Sequence, residues 1–464
     1  MFGMEVINDD DFLSLKLALV TDPTYHDRMI ETKIIETPTN SDSSETCEEG
    51  KIFSLFQTRE QMLKQLDHKT DTETLEEDGK GLQLIHLLLI SATSVDENNI
   101  PSAIENLCEL YQNVSLSGDS VQRVAAYFAD GLIARLLTRK SPFYDMIMEP
   151  PTPEEQFLAF TELYKVSPFY QFAHFTANQS IIEAFEREAN TNNRALHVID
   201  FDISYGFQWP SLMQSLSEKA TATDRILLRI TGFASSLEQL QETESRLVSF
   251  SKGFRNLVFE FQGIVRGSKF ARPKIRKGET VAANLVFHLN SLNSYSKISD
   301  TLKYIYSLRP SVVVLVEQEG SRKTQNFLSR FMESLHYFAA IFDSLDDCLP
   351  LDSAERLSIE RNHLGKEIKH VMNYDKDGGK CLRYERMETW KGRMENHGFL
   401  GIRQSSNSVM QAKLLLKIRS HCSPVHIDGE NGGGFRVFER DDGRAISLGW
   451  QDRFLLTASS WCCE

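Results

Sequence analysis

The chain has 464 residues, 41% hydrophobic and 25% charged, ordinary globular values that exclude a fibrous or wholly disordered polymer. No apolar run approaches the roughly 20 residues of a membrane span, and no basic segment with an apolar core opens the chain as a secretion signal would. The net charge of −14 is uneven, with 19 Asp/Glu against 8 Lys/Arg in residues 1–80 and a nearly neutral remainder; a domain gripping many phosphates is normally basic, so DNA contact by this chain alone is the minority reading.

In chain order, residues 1–78 mix small apolar clusters with acidic and hydroxyl-rich stretches at 37–50 and 67–78. That composition predicts an acidic, largely disordered leader suited to docking on a partner. Periodicity changes at Gly81. Leu82, Ile85, Leu88, Leu89, Ala92 and Val95 recur at helical spacing. A second stripe follows Pro101 (Ile104, Leu107, Leu110, Tyr111), and a third follows Asp119 (Val121, Val124, Phe128, Leu132). Residues 79–150 therefore read as a helical cap, with Leu82, Leu89, Leu107, Leu110, Val121 and Phe128 as candidate partner contacts. The run Pro150, Pro151, Pro153 ends it.

Residues 151–464 read as an α/β core. Helices are expected at 157–166 and 173–189, then strands at 195–201, 226–231, 257–261, 281–287 and 312–317. Helices at 210–219, 237–252, 296–307 and 325–342 separate most of the strands. This alternation predicts a doubly wound parallel sheet. Segments 436–439 and 445–448 around Asp441, Asp442 and Gly443 predict an antiparallel hairpin on its edge.

The first strand carries Leu196, His197, Val198, Ile199 and Asp200, then runs through Asp202 and Gly206 to Gln208, Trp209 and Pro210. An acidic residue at a strand's carboxyl end before a glycine turn is where doubly wound folds hold a nucleotide or methyl donor. Of the glycines such a turn needs, only Gly206 is present; Asp202 and Ser204 stand at the others. The second strand closes on Thr231 and Gly232, without a carboxylate for a ribose. The site at Asp200, Asp202 and Gly206 is therefore expected to be degenerate, with no cofactor. Binding of S-adenosylmethionine or another small molecule is the alternative.

The glycine-rich segment 429–434 lacks the Lys-Ser/Thr of a phosphate loop and reads as a connector. Scattered histidines (His86, His174, His197, His288, His336, His363, His370) form no metal-ligand pattern, and His197 reads as a hydrogen-bonded core residue. Seven cysteines without a C-x-x-C pair argue against a disulfide framework or a zinc module and for reduced thiols in an intracellular protein. Lys269, Arg272, Lys274, Arg276 and Lys277 form the one dense basic stretch, a candidate DNA contact or import signal. Trp209, Trp390, Trp450 and Trp461 flank element boundaries and are expected to anchor packing.

Taken in order, several motifs resemble the GRAS family of plant transcriptional regulators, in its scarecrow-like branch. Gly118 to Arg123 and Ala126, Tyr127, Phe128 are similar to its first leucine-rich region. Leu196 to Asp200 resembles the VHIID motif, and Val316 to Glu319 with Arg361 and Lys366 resembles the PFYRE region. Trp390, Gly398, Phe399, Gly449, Trp450, Ser459, Ser460 and Trp461 resemble the SAW region. The resemblance implies a Rossmann-like, methyltransferase-like core with a helical cap completed by an insertion, here placed at 353–373. It also implies a non-enzymatic nuclear protein that pairs with other transcription factors or with GRAS chains, its DNA contact mostly indirect, with no membrane or metal partner.

Overall fold

The computed structural model describes residues 45–64, 78–267, 272–292, 294–320, 326–375, 384–419 and 434–464. The rest of the expected leader, Lys269 and the glycine segment 429–433 lie outside the described residues. Internal contacts divide the chain into two units, one holding Ile182–Ala282 and the other Cys47–Ile181 with Ala283–Glu464.

Within the segment read as a disordered leader, Glu45–Lys64 forms a helix, α1, that buries Leu55, Phe56 and Met62. Three apolar side chains at helical spacing are little in composition, but enough once a partner surface receives them. Helices α2 (Asp78–Asp96), α3 (Ile100–Asn113), α4 (Ser120–Leu136), α5 (Pro142–Met148), α6 (Pro153–Val166) and α7 (Pro168–Arg187) follow. Their starts are written in the sequence. Asp119 accepts the Gln122 N–H at 2.8 Å to cap α4. Thr152 and Glu155 form a reciprocal capping box ahead of α6, with Pro153 in its first turn.

The unit Ile182–Ala282 is built on β1 (Ala195–Asp200), β2 (Ile226–Ala234) and β3 (Leu257–Val265), joined by α8 (Trp209–Lys219) and α9 (Leu237–Ser251). β1 pairs parallel with β2 from Ala195↔Leu227 to Asp200↔Gly232. β2 pairs parallel with β3 from Ile226↔Leu257 to Ala234↔Val265. β4 (Thr280–Val286) opens beside β1 as this unit ends, giving the order β3-β2-β1-β4. All six β1 residues are buried, which is why the strand reads as an apolar run rather than an alternation.

In the other unit the sheet runs β4-β5-β9-β8-β7. It comprises the end of β4, β5 (Val312–Gln318), β6 (Phe399–Ile402), β7 (Phe435–Arg440), β8 (Ala445–Trp450) and β9 (Arg453–Cys463). The expected hairpin is β7–β8, paired from Phe435↔Trp450 to Arg440↔Ala445. Asp441, Asp442 and Gly443 turn it with positive φ. Its link to β5 is β9, an 11-residue strand not expected from the sequence, antiparallel to β5 with Val313↔Trp461.

The helices of this unit include α10 (Tyr295–Ser307), α11 (Phe327–Asp346), α12 (Ala354–Ile359), a π-helical turn (Glu360–Leu364), α13 (Gly365–Asn373), α14 (Met387–Glu395) and α15 (Ser406–Arg419). The insertion placed at 353–373 is thus two helices around a π turn, packed on α4. A Cβ on Gly131 would stand 2.8 Å from Met372 Cγ, so the glycine is what lets α13 approach. Phe128 meets Phe331 and Phe338 edge-on, with centroids 5.5 and 6.1 Å apart.

Buried histidines give the fold an acid limit. His174 faces the Tyr164 hydroxyl at 3.3 Å, and burial holds it at about 3. His363 meets the Tyr170 hydroxyl at 2.9 Å; burial, with Lys366 nearby, holds it at about 4. Both pKa values lie below that of an unfolded histidine, so their stabilisation is complete above about pH 6.5 and is lost as pH falls toward those values. Each should add about 1.4 kcal/mol of instability per pH unit below that point. His363→Gln should flatten the stability–pH profile between pH 6 and 4.5 relative to the parent; an unchanged slope in denaturant titrations would place His363 in solvent.

Candidate functional site

In the unit Ile182–Ala282, the place where a doubly wound fold takes its ligand lies beyond the carboxyl ends of β1 and β2. Asp200, 2% exposed, accepts the Asp202 N–H at 3.2 Å through Oδ1 and the Trp209 indole N–H at 3.2 Å through Oδ2. It ties the turn to α8. Asp202 pairs with Arg266 at 2.8 Å; burial raises its carboxyl above the ordinary value, against the pull of that guanidinium. Arg266 also donates to the Phe201 carbonyl at 3.1 Å.

Ile203, 3% exposed, lies against Gly232, where an added Cβ would meet its Cβ at 3.0 Å. Its N–H bonds the Phe233 carbonyl at 3.0 Å, and Phe201 stacks on Phe233 with centroids 5.4 Å apart. Asp202 and Ser204 stand where such a turn has glycines. Ser204 offers its carbonyl to Thr243 Oγ1 at 3.1 Å; Ile203 is the buried side chain of the turn, while Arg266 is exposed and pairs with Asp202 at its rim. Ile203 showed itself only as a branched residue in a glycine turn; Arg266 only as an arginine closing β3.

Gly206 takes φ +77°, and a Cβ there would meet Thr243 Cγ2 at 2.9 Å. Gly206→Ala should therefore cost about 1–2 kcal/mol for the left-handed backbone, with the contact adding to it. A melting point equal to the parent's would show the turn to be slack.

The other motif residues have structural partners. His197, fully buried, bonds Glu279 at 3.0 Å and Thr231 Oγ1 at 2.8 Å; burial keeps its pKa low despite Glu279. Gln208 precedes α8 and is 4% exposed. Trp450 donates to Asp343 at 2.7 Å and Trp461 to Ser459 Oγ at 2.9 Å. Trp390 is buried beside Arg393.

The candidate partner contacts separate. Leu82 is 75% exposed, whereas Leu107, Leu110 and Phe128 are fully buried and so cannot touch a partner while the helices stay packed. Leu89 and Val121 are intermediate. In the basic loop Arg272, Lys274, Arg276 and Lys277 are exposed, but Arg276 pairs with Glu260 at 2.7 Å and the Lys274 carbonyl accepts from Arg229 at 3.0 Å. Among the described residues, no group of three or more His, Cys, Asp or Glu could hold a metal ion, and no helix is long and apolar enough to cross a membrane.

Parallel βα units, an antiparallel extension and a leucine-rich helical bundle define a Rossmann-like α/β protein with a helical cap. The chain belongs to the GRAS domain family, whose profile matches residues 84–462. It is 34% identical over 442 residues to Protein SCARECROW of Ipomoea nil, covering 94% of this chain and 53% of that protein. It is 35% identical over 403 residues to Protein SCARECROW of Arabidopsis thaliana, covering 85% and 58%. The chain thus spans little more than half the length of these curated relatives. The crystal structure of SCL7 from Oryza sativa superimposes with a TM-score of 0.64 at 28% identity, covering 82% of this chain and 99% of that one.

Proposed function

We propose that the chain is a non-enzymatic transcriptional regulator of the GRAS type that acts in the nucleus by binding other transcription factors or GRAS chains. The observation that carries this reading is the filled crevice. Ile203, buried against Gly232, stands at the end of the sheet that a methyl donor or nucleotide would need, and Arg266 pairs with Asp202 beside it. The carboxylate that ends β1 is committed to Trp209. What remains for function is surface.

DNA contact is assigned to partners rather than to the 272–277 loop, because Arg276 is paired with Glu260 and the chain beyond residue 80 is nearly neutral where a phosphate-gripping domain is basic. The test is capture of tagged full-length protein from plant nuclear extract, read by mass spectrometry at matched expression. Recovery of DNA-binding proteins in salt-resistant complexes supports the reading. A strictly monomeric protein that recovers none, and that binds a random DNA duplex on its own with steep salt dependence, would overturn it.

A further inference from the structure

β3 stands at the end of the order β3-β2-β1-β4, and among the described residues no strand lies along its outer edge. The ladder to β2 decides which of its main-chain groups are committed. The Ile226 N–H donates to the Asn256 carbonyl at 3.1 Å, and the Arg266 N–H to the Ala234 carbonyl at 2.8 Å. Between them the register runs without a slip from Ile226↔Leu257 to Ala234↔Val265. In a parallel pair a residue turns its N–H and its C=O to the same side, and the side alternates along the strand. Val258, Glu260, Gln262 and Ile264 therefore turn theirs to β2, and Phe259, Phe261 and Gly263 turn theirs outward.

Free edges are usually blunted by brevity, a bulge, proline or lysine. β3 is nine residues long, holds neither proline nor lysine and is not bulged. Its one charged side chain, Glu260, is neutralised by Arg229 at 3.1 Å and Arg276 at 2.7 Å. The face that Glu260 shares is crossed by the loop 272–279, where Glu279 and the Lys274 carbonyl accept from Arg229. That face and loop carry Arg229, Arg272, Lys274, Arg276 and Lys277 against two carboxylates, Glu260 and Glu279. On the opposite face a Cβ on Gly263 would meet Leu240 of α9 at 3.2 Å; Phe259 and Phe261 share that face by alternation and are half-buried.

We infer that the outer edge of β3 is a docking edge for an extended segment of a partner protein, added as a further strand, whose side chains alternate between apolar and acidic. The outward groups of Phe259, Phe261 and Gly263 supply main-chain pairing, which is indifferent to sequence. Alternation supplies the choice. Successive side chains of an added strand fall on opposite faces, so one set meets Phe259 and Phe261 and the other meets the cationic loop. A basic segment is rejected by charge, and a proline-rich one because it lacks donors. The inference gives the partner-binding reading a surface, rests on that reading, and assigns the basic loop a role other than gripping DNA.

The test uses the full-length protein and a fluorescent peptide of five Val-Glu repeats. Residue-resolved hydrogen exchange of the free protein should show the Phe259, Phe261 and Gly263 amides exchanging fast between slow neighbours, and the peptide should slow those three about ten-fold. By fluorescence anisotropy, Phe261→Lys should weaken binding about ten-fold, as should Arg272→Glu/Lys277→Glu. The exposed pair carries the comparison if Phe261→Lys melts below the parent. The same peptide N-methylated throughout, or with Lys in place of Glu, should not bind. Slow exchange of the three amides in the free protein, absence of peptide binding, or equal affinity for the methylated peptide would overturn the proposal. So would a parent whose own dimerisation excludes the peptide, which would put a second copy on the edge. Nuclear capture that still recovers DNA-binding proteins while the peptide fails would sink the edge alone; capture that recovers none sinks the proposed function.

Discussion

Arg123→Met should lower stability by about 3–5 kcal/mol, the usual cost of leaving a buried charge without its partner. Arg123 stands in the first turn of α4 with no exposed surface. Its Nε donates to Glu360 at 2.9 Å, Nη1 to the Gly118 carbonyl at 2.6 Å, and Nη2 to Asp346. Glu360 is itself fully buried and takes a second guanidinium, that of Arg356, at 3.1 and 3.2 Å. One arginine thus ties the start of α4 to the end of α11 and to the π turn.

Burial pushes the Glu360 carboxyl upward against both arginines. Removing Arg123 leaves that carboxyl to protonate or to drag water inside. Arg123→Lys should also fail, because an ammonium cannot present the fork that three separate acceptors need. Arg123→Met combined with Glu360→Met should recover none of the loss, because it leaves the buried Arg356 guanidinium without the carboxylate it meets at 3.1 and 3.2 Å. Denaturant midpoints of the four proteins check this. A single variant as stable as the parent would show that the network is hydrated.

Trp209→Ala should cost about 3–5 kcal/mol by opening a cavity at a fully buried site. Trp209 is 0% exposed and begins α8, so the lost ring frees the helix start from the strand end that Asp200 holds. Trp209→Phe keeps most of the volume and should cost about 1–3 kcal/mol, because an Asp200 oxygen loses a buried donor. The order Ala worse than Phe worse than parent is the expected result in urea titrations followed by far-ultraviolet circular dichroism. Equal losses for the two variants would mean that the hydrogen bond, not the packing, holds the junction.

Much of the α/β order is legible in the sequence because β1, β4 and β5 are short apolar runs buried on both faces, and helical stripes separate most of the strands. The capping residues Asp119 and Thr152 fix helix starts locally, with no need of distant partners. Legibility fails where an element is defined by what it meets. β9 reads poorly because Thr457, Ser459 and Ser460 interrupt its apolar character; in the fold Thr457 bonds Ser447 at 2.6 Å and Ser460 bonds Ser180 at 2.8 Å. Helix α1 reads as leader because three buried side chains among charged neighbours form no long stripe. At the crevice, the missing glycines of the turn were visible, but not the groups that fill it. Arg266 reaches Asp202 across 64 positions of sequence, and no local pattern announces such a contact. Leu107, Leu110 and Phe128 look like a binding stripe and are core, since spacing defines a face without saying what covers it.

The most direct test of the filled crevice is titration calorimetry of the intact protein with S-adenosylmethionine, followed by a melt in its presence. The packing of Ile203, Phe201 and Phe233 predicts no heat of binding and no shift in melting temperature at millimolar ligand. A saturable heat with micromolar affinity, abolished by Gly232→Val, would contradict it and return the chain to the small-molecule binders.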